Sequence, residues 1–516
     1  MLRVLSHYLP VRKALLVLSE TLILWLVLGF AGTVHLANPG RELHRALAHE
    51  RGAMTLDGAR FHCYVTAFLL AVLVQFAISF NELYDFRISQ SRYDRARHFV
   101  GSMGSAIFVS LLAVGLAHLG QLDPLLDFPG ISLGQKVRML VFALLISFLL
   151  LFLWRTLFHH LLHRAKFYDR VLILGSSKAA HLLAKETREH ADSGYEIAGI
   201  VPEQPSTQAS VPGLDFDVDE FGTADLVLDG LMVCDKGLVQ ADAAAPHLSL
   251  AALVAHLDIN EIVVAFGDRR GKLPIDDLLR CRLGGTPVRS YDEVFERVAG
   301  KISVEAMRPS YLIFGDGFAR HPWADLVKRL LDLAVALPML ACLWPVMILT
   351  MICVRMGSEG PALFSQERVG RDGRLFTLFK FRSMYADAEK RSGPVWATSD
   401  DPRITRVGNF IRKTRLDELP QLFNVIGGSM SLVGPRPERE VFVKDLAQAI
   451  PYFDQRHIVK PGLTGWAQIN YPYGNTVGDA LQKLQYDLFY IKYQSLIFDL
   501  SILFNTIKTI LLRRGT

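Results

Sequence analysis

The chain has 516 residues, 51% of them apolar, with 56 Lys and Arg against 51 Asp and Glu and a formal net charge of +5. The length is too great for one domain and the apolar share too great for an ordinary soluble chain; a small net charge without a basic–aromatic stripe excludes a nucleic-acid binder. The five cysteines, at 63, 234, 281, 342 and 353, form no CxxC pair, so they read as free thiols with no disulfide framework and no zinc site.

Taken in order, Arg3, Arg12 and Lys13 precede an apolar stretch from Ala14 to about Ala37. It is too long for the core of a cleavable signal and predicts a first transmembrane helix, with Glu20 the awkward residue near its start. Further spans are expected at roughly 61–81, 103–120 and 139–160. Arg87, Arg92, Arg95 and Arg97 fill the second connection, the third holds no arginine, and Arg164, Lys166 and Arg170 follow the fourth span. The positive-inside rule then puts the N-terminus, the second connection and everything after the fourth span in the cytoplasm. Arg41, Arg45, Arg51 and Arg60 in the first connection run against it.

Residues 166–300 change character. A buried strand, Arg170 to Leu174, enters a turn at Gly175; a helix, Ala179 to His190, and a strand, Tyr195 to Val201, follow. That is a βαβ opening, and further units at 230–239, 247–267 and 276–289 predict a parallel sheet with helices on both faces, a Rossmann-like domain. The turn GSSKAA at 175–180 has the first glycine of a dinucleotide fingerprint but neither of the others, so no cofactor is expected there. A membrane-bound nucleotide-sugar oxidoreductase using NAD is the alternative this domain leaves open. It could also mediate a homodimer. Residues 203–225 and 301–323, punctuated by Pro205, Pro212, Pro309 and Pro322, read as linkers.

A fifth apolar run, Leu333 to Val354, contains Pro338 and Pro345. Each proline removes a backbone hydrogen bond and favours a bend, so this helix could enter one leaflet and return to the same side; a straight fifth span is the alternative. Residues 357–373 are turn-rich, and Leu375 to Phe381 reads as a strand. Lys380 and Arg382, two apart, share one face of an extended chain and could grip a diphosphate.

The segment Ile411 to Pro437 concentrates the chemistry. It surrounds the acid pair Asp417–Glu418 with Arg412, Lys413, Arg415 and Arg436. A short apolar helix is expected from Leu419 to Ile426, stopped by Gly427 and Gly428, with Asp417 at the N-cap and Pro420 in the first turn. Flanking cations stabilise an ionised carboxylate, which could attack phosphorus or hold a divalent cation. The turn Gly434-Pro435-Arg436-Pro437 offers one more guanidinium for phosphate. From Asp479 to Thr516, Leu481, Leu484, Leu488, Ile491 and Leu496 recur at helical spacing with Tyr486, Tyr490 and Tyr493. Such a helix suits the membrane interface, or else a core.

The motifs KRLLD (328–332), GPALFSQERVGRDGRLFTLFKFRSM (360–384), DPRITRVGNFIRKTRLDELPQLFNV (401–425), MSLVGPRP (430–437), KPGLTGWAQIN (460–470) and YDLFYIKY (486–493) resemble, in order, the bacterial sugar transferases. Those enzymes move a hexose 1-phosphate from a nucleotide sugar onto a polyprenyl phosphate. The resemblance implies a multi-domain protein of the bacterial inner membrane. Residues 1–165 would be a four-helix transmembrane region and 166–300 a degenerate Rossmann-like domain. Residues 324–516 would be a mainly α, monotopic catalytic domain on the cytoplasmic face, with a re-entrant helix at about 328–356. The donor would be a UDP-sugar, the acceptor undecaprenyl phosphate, and the products UMP and polyprenyl-diphospho-sugar, which starts an exopolysaccharide or O-antigen repeat unit. Asp417 would be the nucleophile, with Glu418 beside it holding Mg²⁺. Lys380, Arg382, Arg412, Arg415 and Arg436 would bind phosphate. Two departures stand out. The family's Ser-Pro pair at the bend is Trp344-Pro345 here, and the acid usual in the glycine turn before Met-Ser is Ser429. Glu367, Asp400 or Asp401 could substitute for it. A non-enzymatic assembly protein of polysaccharide export is the remaining alternative, which would leave the acid pair and its cations unexplained.

Overall fold

The computed structural model describes residues 2–4, 7–9, 11–36, 55–81, 92–119, 131–164, 169–175, 178–190, 194–201, 233–234, 237–238, 250–266, 273–307, 309–315, 322–385, 401–471 and 476–511, with a few single residues between these stretches. Four long helices come first: α1 (Val11–Thr33), α2 (Leu56–Phe80), α3 (Arg92–Leu119) and α4 (Leu133–Arg164). Each is long and apolar enough to cross a membrane. They pack through Leu24, Leu28, Leu70, Val74, Leu144 and Phe148. Leu18, Leu22, Phe30, Phe108, Phe142 and Leu149 point outward and are exposed. Helices apolar on all sides need an apolar solvent, which a bilayer supplies. Glu20 is fully buried and meets Arg155 of α4 bidentately, Nε to Oε1 at 2.5 Å and Nη2 to Oε2 at 2.9 Å. The Arg155 fork therefore satisfies the acid that looked out of place in the first span.

The expected parallel sheet follows. Strands β1 (Asp169–Leu174) and β2 (Tyr195–Val201) flank helix α5 (Lys178–Glu189). Helix α6 (Leu250–His256) leads to β3 (Glu261–Val264), and α7 (Ile275–Leu283) to β4 (Val288–Ser290) and α8 (Tyr291–Ala299). The strand order is β2-β1-β3-β4, all parallel. Val171 and Ile173 face α5 and α8, while Leu172 and Leu174 face α6 and α7; the strand is apolar throughout because both faces are covered. Of the expected 230–239 unit, only a short antiparallel pair, Val233–Cys234 with Gly237–Leu238, is described. Residues 203–225 lie outside the described residues.

Of the segment 301–323, read as a linker, the described residues 302–307 enter a core. Ile302, Val304 and Met307 are buried with Leu484, Leu488 and Tyr490, and a short helix, α9 (Pro309–Phe314), follows. Its prolines signalled irregular backbone, and they did not report whether that backbone is covered. Next comes α10 (Pro322–Gly357), 36 residues with Pro338 and Pro345 inside it, the fifth helix long and apolar enough to cross a membrane.

The remainder is mostly helical around two small sheets. β5 (Leu363–Val369) and β6 (Leu375–Phe381) form an antiparallel hairpin. Helices α11 (Arg406–Lys413) and α12 (Gln421–Gly427) lead to β7 (Ser431–Val433). Helix α13 (Glu440–Ala449) precedes β8 (Gly462–Thr464), which pairs in parallel with β7. Helix α14 (Trp466–Asn470) leads to the last two, α15 (Val477–Tyr493) and α16 (Leu496–Leu511). The continuous amphipathic pattern of the C-terminus is thus two helices. In α15, Leu484, Leu488, Tyr490 and Ile491 are core residues, so this stretch takes the core option and not the interfacial one. The Tyr490 hydroxyl donates to Val433 O at 3.1 Å or to Asp499 Oδ1 at 2.8 Å. Helix α16 keeps Leu496, Ile497, Leu500, Ile507 and Ile510 exposed, and its Phe504 meets Phe76 and Phe80 of α2 at 5.8 and 6.4 Å between ring centroids.

Candidate active site

The acid pair sits in a tight turn between α11 and α12. Thr405 caps α11, its hydroxyl accepting from Gly408 N at 2.8 Å. Arg415 then adopts a left-handed conformation at φ 58°, which a residue with a Cβ tolerates only where its surroundings hold it. A single 3-10 turn, Leu416–Glu418, follows, and Pro420 occupies the N-cap of α12. The expectation that Asp417 caps the helix is therefore corrected: Asp417 lies in the preceding turn, and Pro420 delays the helix start. Gly428, at φ 86°, ends α12 as expected.

Asp417 and Glu418 are each 8% exposed. Three cations converge on one oxygen, Glu418 Oε1: Arg436 Nη2 at 2.8 Å, Lys380 Nζ at 3.2 Å and Arg415 Nη1 at 3.9 Å. Burial alone would raise the Glu418 carboxyl; Arg436, Lys380 and Arg415 outweigh it and hold the group below its ordinary range. Asp417 has no side-chain hydrogen bond among the described residues. Burial and the neighbouring Glu418 charge push it up to about 6, against the fields of Lys380, Arg412 and Arg415. The pair thus divides into an ionised glutamate held by cations and an aspartate whose carboxyl is raised above its ordinary range.

The structure brings together Lys380, Arg415 and Arg436, with Arg412 acting on Asp417 at longer range. It does not bring Arg382. That guanidinium is 6% exposed and donates to Glu359 O at 2.6 Å, Ser358 O at 2.7 Å and Ser358 Oγ at 2.9 Å. Shared strand parity with Lys380 lapses because β6 ends at Phe381. Of the substitutes for the missing acid, Asp401 is paired with Arg403, whose Nε and Nη2 lie 2.8 and 2.6 Å from its two oxygens. Asp400 is outside the described residues, and Glu367 lies on β5. Ser429 itself closes the end of α12, donating to Asn424 O at 3.2 Å. Pro345 lies within α10 beside an exposed Trp344.

Several residues that hold the site had no local signal. The turn bearing Arg436 is fixed by Gly434 N to Thr464 O and Gly462 N to Pro435 O, both 2.9 Å. Arg456 Nη2 donates to Arg436 O at 3.0 Å and lies 2.8 Å from buried Asp487. A Cβ on Gly434 would fall 2.4 Å from Lys460 O, so the glycines of the 434–437 and 460–465 turns allow backbone to meet backbone. Arg329 donates to Val425 O at 2.5 Å and Ile426 O at 2.6 Å, answering the free carbonyls of α12. Asp332 accepts from Ser431 Oγ and Leu432 N, both 3.0 Å.

Among the described residues no group of three or more His, Cys, Asp or Glu side chains is placed to hold a metal ion. Asp417 and Glu418 do suit a magnesium ion that takes one or two carboxylates and draws its other ligands from water and substrate phosphates. Lys380, Arg415 and Arg436 all approach Glu418 Oε1.

The profile of the bacterial sugar transferase family matches residues 323–513, the stretch that holds every residue of this site. The chain is 40% identical over 234 residues, 45% of its length, to the UDP-N-acetylgalactosamine-undecaprenyl-phosphate N-acetylgalactosaminephosphotransferase of Aeromonas hydrophila, covering 54% of that protein. It is 44% identical over 189 residues to the UDP-glucose:undecaprenyl-phosphate glucose-1-phosphate transferase of Xanthomonas campestris pv. campestris, covering 36% of this chain and 39% of that one. Those matches span about half or less of these two relatives. A shorter protein of Bacillus subtilis, the uncharacterized sugar transferase EpsL, is 38% identical over 194 residues, 37% of this chain and 90% of its own. With nine-tenths of that relative matched and the family profile running through α10, the acid pair and the 434–437 turn, the chain belongs to the bacterial sugar transferase family.

Proposed function

We propose that this protein transfers a sugar 1-phosphate from a UDP-sugar to a polyprenyl phosphate such as undecaprenyl phosphate, releasing UMP. The observation that carries this is the division of labour in the acid pair. Glu418 gathers Lys380, Arg415 and Arg436, while the Asp417 carboxylate beside it makes no side-chain hydrogen bond among the described residues. The names of the relatives supply the donor and acceptor classes.

In the first step an Asp417 carboxylate oxygen attacks the sugar-bearing phosphorus. The bond from that phosphorus to the bridging oxygen breaks, and UMP leaves with the electron pair. In the second step a phosphate oxygen of the polyprenyl phosphate attacks the same phosphorus, and the Asp417 carboxylate is the leaving group. The product is polyprenyl-diphospho-sugar. Two displacements through a carboxylate replace one direct meeting of two phosphate anions. Lys380, Arg415 and Arg436, with Arg412 behind them, stabilise charge on the transferring oxygens. Arg382 shapes the 358–359 turn instead. When bound, Mg²⁺ held by Asp417 and Glu418 would neutralise diphosphate charge.

The reading places the site on the cytoplasmic face of the bacterial inner membrane, where the donor is made. A re-entrant course for α10 is supported by its contacts at both ends. Arg329 and Asp332 hold α12 and β7, and Val354 packs on Ile411 and Leu419. A straight helix of 36 residues would separate its ends by about 54 Å. The β2-β1-β3-β4 sheet is read as a Rossmann-like domain without cofactor chemistry, since 175–180 lacks the fingerprint glycines. The test is UMP release from a panel of UDP-sugars, with and without undecaprenyl phosphate. Release without acceptor, with the mass of a phosphosugar added at Asp417, is the expected result. Release only when both substrates are present would replace the covalent route by direct transfer.

A further inference from the structure

Among the described residues Lys380 is the site cation that comes from outside the 411–437 segment, and something must set β6 against the acid pair. Strand β6 pairs with β5 along one edge. On its other edge lies the side chain of Asn424, 4% exposed, from the middle of α12. Its Oδ1 accepts from Phe379 N at 3.0 Å, and its Nδ2 donates to Thr377 O at 2.7 Å. Residues 377 and 379 turn their N–H and C=O groups to the same edge of a strand. One primary amide therefore stands in for a third strand, at the positions three and one before Lys380. Nδ2 also lies 3.3 Å from Ser429 Oγ, and the Asn424 carbonyl accepts from Ser429 N at 3.1 Å and Met430 N at 3.2 Å. The amide is thus held from behind as well as in front.

We infer that Asn424 is a positioning residue for Lys380: it bolts β6 to the helix that follows the acid pair, and so sets the reach of Lys380 Nζ to Glu418 Oε1. The connections close a ring. Asn424 follows Glu418 by six positions in the sequence. Its amide grips β6 at 377 and 379, and β6 presents Lys380 back to Glu418 at 3.2 Å. Asparagine suits the post because the strand edge offers one donor and one acceptor, and only a primary amide answers both with one planar group. An aliphatic residue would leave two buried backbone groups unpaired. A carboxylate would accept from Phe379 and repel Thr377 O. Asn424 touches neither substrate nor reacting atom; it acts through Lys380.

This inference rests on the transferase reading, and the test separates the two. Full-length protein in nanodiscs is mixed with UDP-sugar alone, and single-turnover UMP release is followed against UDP-sugar concentration for wild type, Asn424→Ala, Lys380→Met and the double variant. Asn424→Ala should slow saturated release about ten- to a hundredfold, as a misplaced catalytic group does. It should also move the half-saturating UDP-sugar concentration in the same direction as Lys380→Met. Added to Lys380→Met, it should change neither quantity by more than about twofold, since coupled residues are not additive. Thermal melts check folding, and Asn424→Ser carries the same comparison if the alanine variant does not fold. Equal slowing in both backgrounds, or lost stability with an unchanged rate per folded molecule, overturns the positioning role. If wild type releases no UMP from any donor, the transferase reading fails instead.

Discussion

Glu418 in the site and Glu296 in the joint between α8 and α15 are both buried glutamates, at 8% and 2% exposure, and their surroundings treat them oppositely. Glu296 meets one cation, Lys492 Nζ at 2.8 Å, and one hydroxyl, Tyr493 at 2.6 Å, both on Oε2. Lys492 is itself enclosed by the rings of Tyr311 and Tyr493. Burial wins there, and the Glu296 carboxyl is pushed up despite Lys492 and Tyr493. Around Glu418 three cations win, and the carboxyl is held down. A single cation with one hydroxyl closes a buried acid into a structural contact. A surplus of partners keeps it ionised and leaves positive charge for something else. Lys380, Arg415 and Arg436, with Arg412 nearby, outnumber the two carboxylates they face, a charge balance that suits an anionic ligand.

The largest effect should come from Asp417→Asn. UMP release should fall by at least about 10³, roughly 4 kcal/mol of barrier. Stability should move the other way. The folded pKa of Asp417 is raised, so its protonated form is favoured in the native state. The stability this gives is present below 3.8 and is lost as pH rises through about 6. Asparagine cannot ionise, so at pH 7 the variant should melt at the same temperature as wild type or above it. A variant that loses both activity and melting temperature would put Asp417 in the same class as Glu296.

Lys492→Met tests the other side of the comparison. Removing one partner of a buried pair leaves Glu296 uncompensated, at a cost of about 3 kcal/mol or more in stability. Denaturant unfolding should report it, and limited proteolysis should cut more readily between the sheet and α15. UMP release per folded molecule should change far less than in Asp417→Asn. A loss of activity without a loss of stability would mean that the joint reports to the site directly.

Lys380→Met sharpens the electrostatics of the pair. The aspartate must be ionised to attack, so single-turnover release should rise with pH through a midpoint near 6. Lys380 lowers that midpoint, and without it the limb should shift upward. The rate well above the limb should fall about ten- to a hundredfold through lost charge stabilisation. An unmoved limb would mean that another group sets the acid profile.

Local order was legible in the sequence and distant partnership was not. Strand Leu375–Phe381 stands where alternation and turn residues put it. The alternation of α5 with β1 and β2 follows the apolar runs on either side of Gly175. The acid pair and its cations were visible as neighbours in one segment. Several of the failures are questions of what lies far along the chain. Glu20 looked misplaced because Arg155 is 135 positions away. Residues 301–307 looked like a linker because the core that takes Ile302 and Val304 is built mostly from residues far beyond them. The pattern from 479 onward looked like one helix because Gln494 and Ser495, which break it, are no strong helix breakers.

Arg382 brings the comparison to the edge of the site. By sequence it pairs with Lys380 as a phosphate grip; by structure it is a buried cation whose two Nη groups hold backbone carbonyls. Its fork reaches the carbonyls of Ser358 and Glu359 just past the end of α10, and a lysine, with its three donors on a single nitrogen, does not reproduce the planar fork that meets both. Arg382→Lys should therefore cost about 1–2 kcal/mol of stability, the range for a buried acceptor left unmet. The rate of UMP release per folded molecule, and its dependence on UDP-sugar concentration, should stay within about threefold of wild type, a barrier change under about 1 kcal/mol. A phosphate contact would behave differently: the lysine would keep the charge and the fold, while KM for the donor rose tenfold or more. Measuring melting temperature and KM on the same preparation separates the two, because each role predicts a change where the other predicts none.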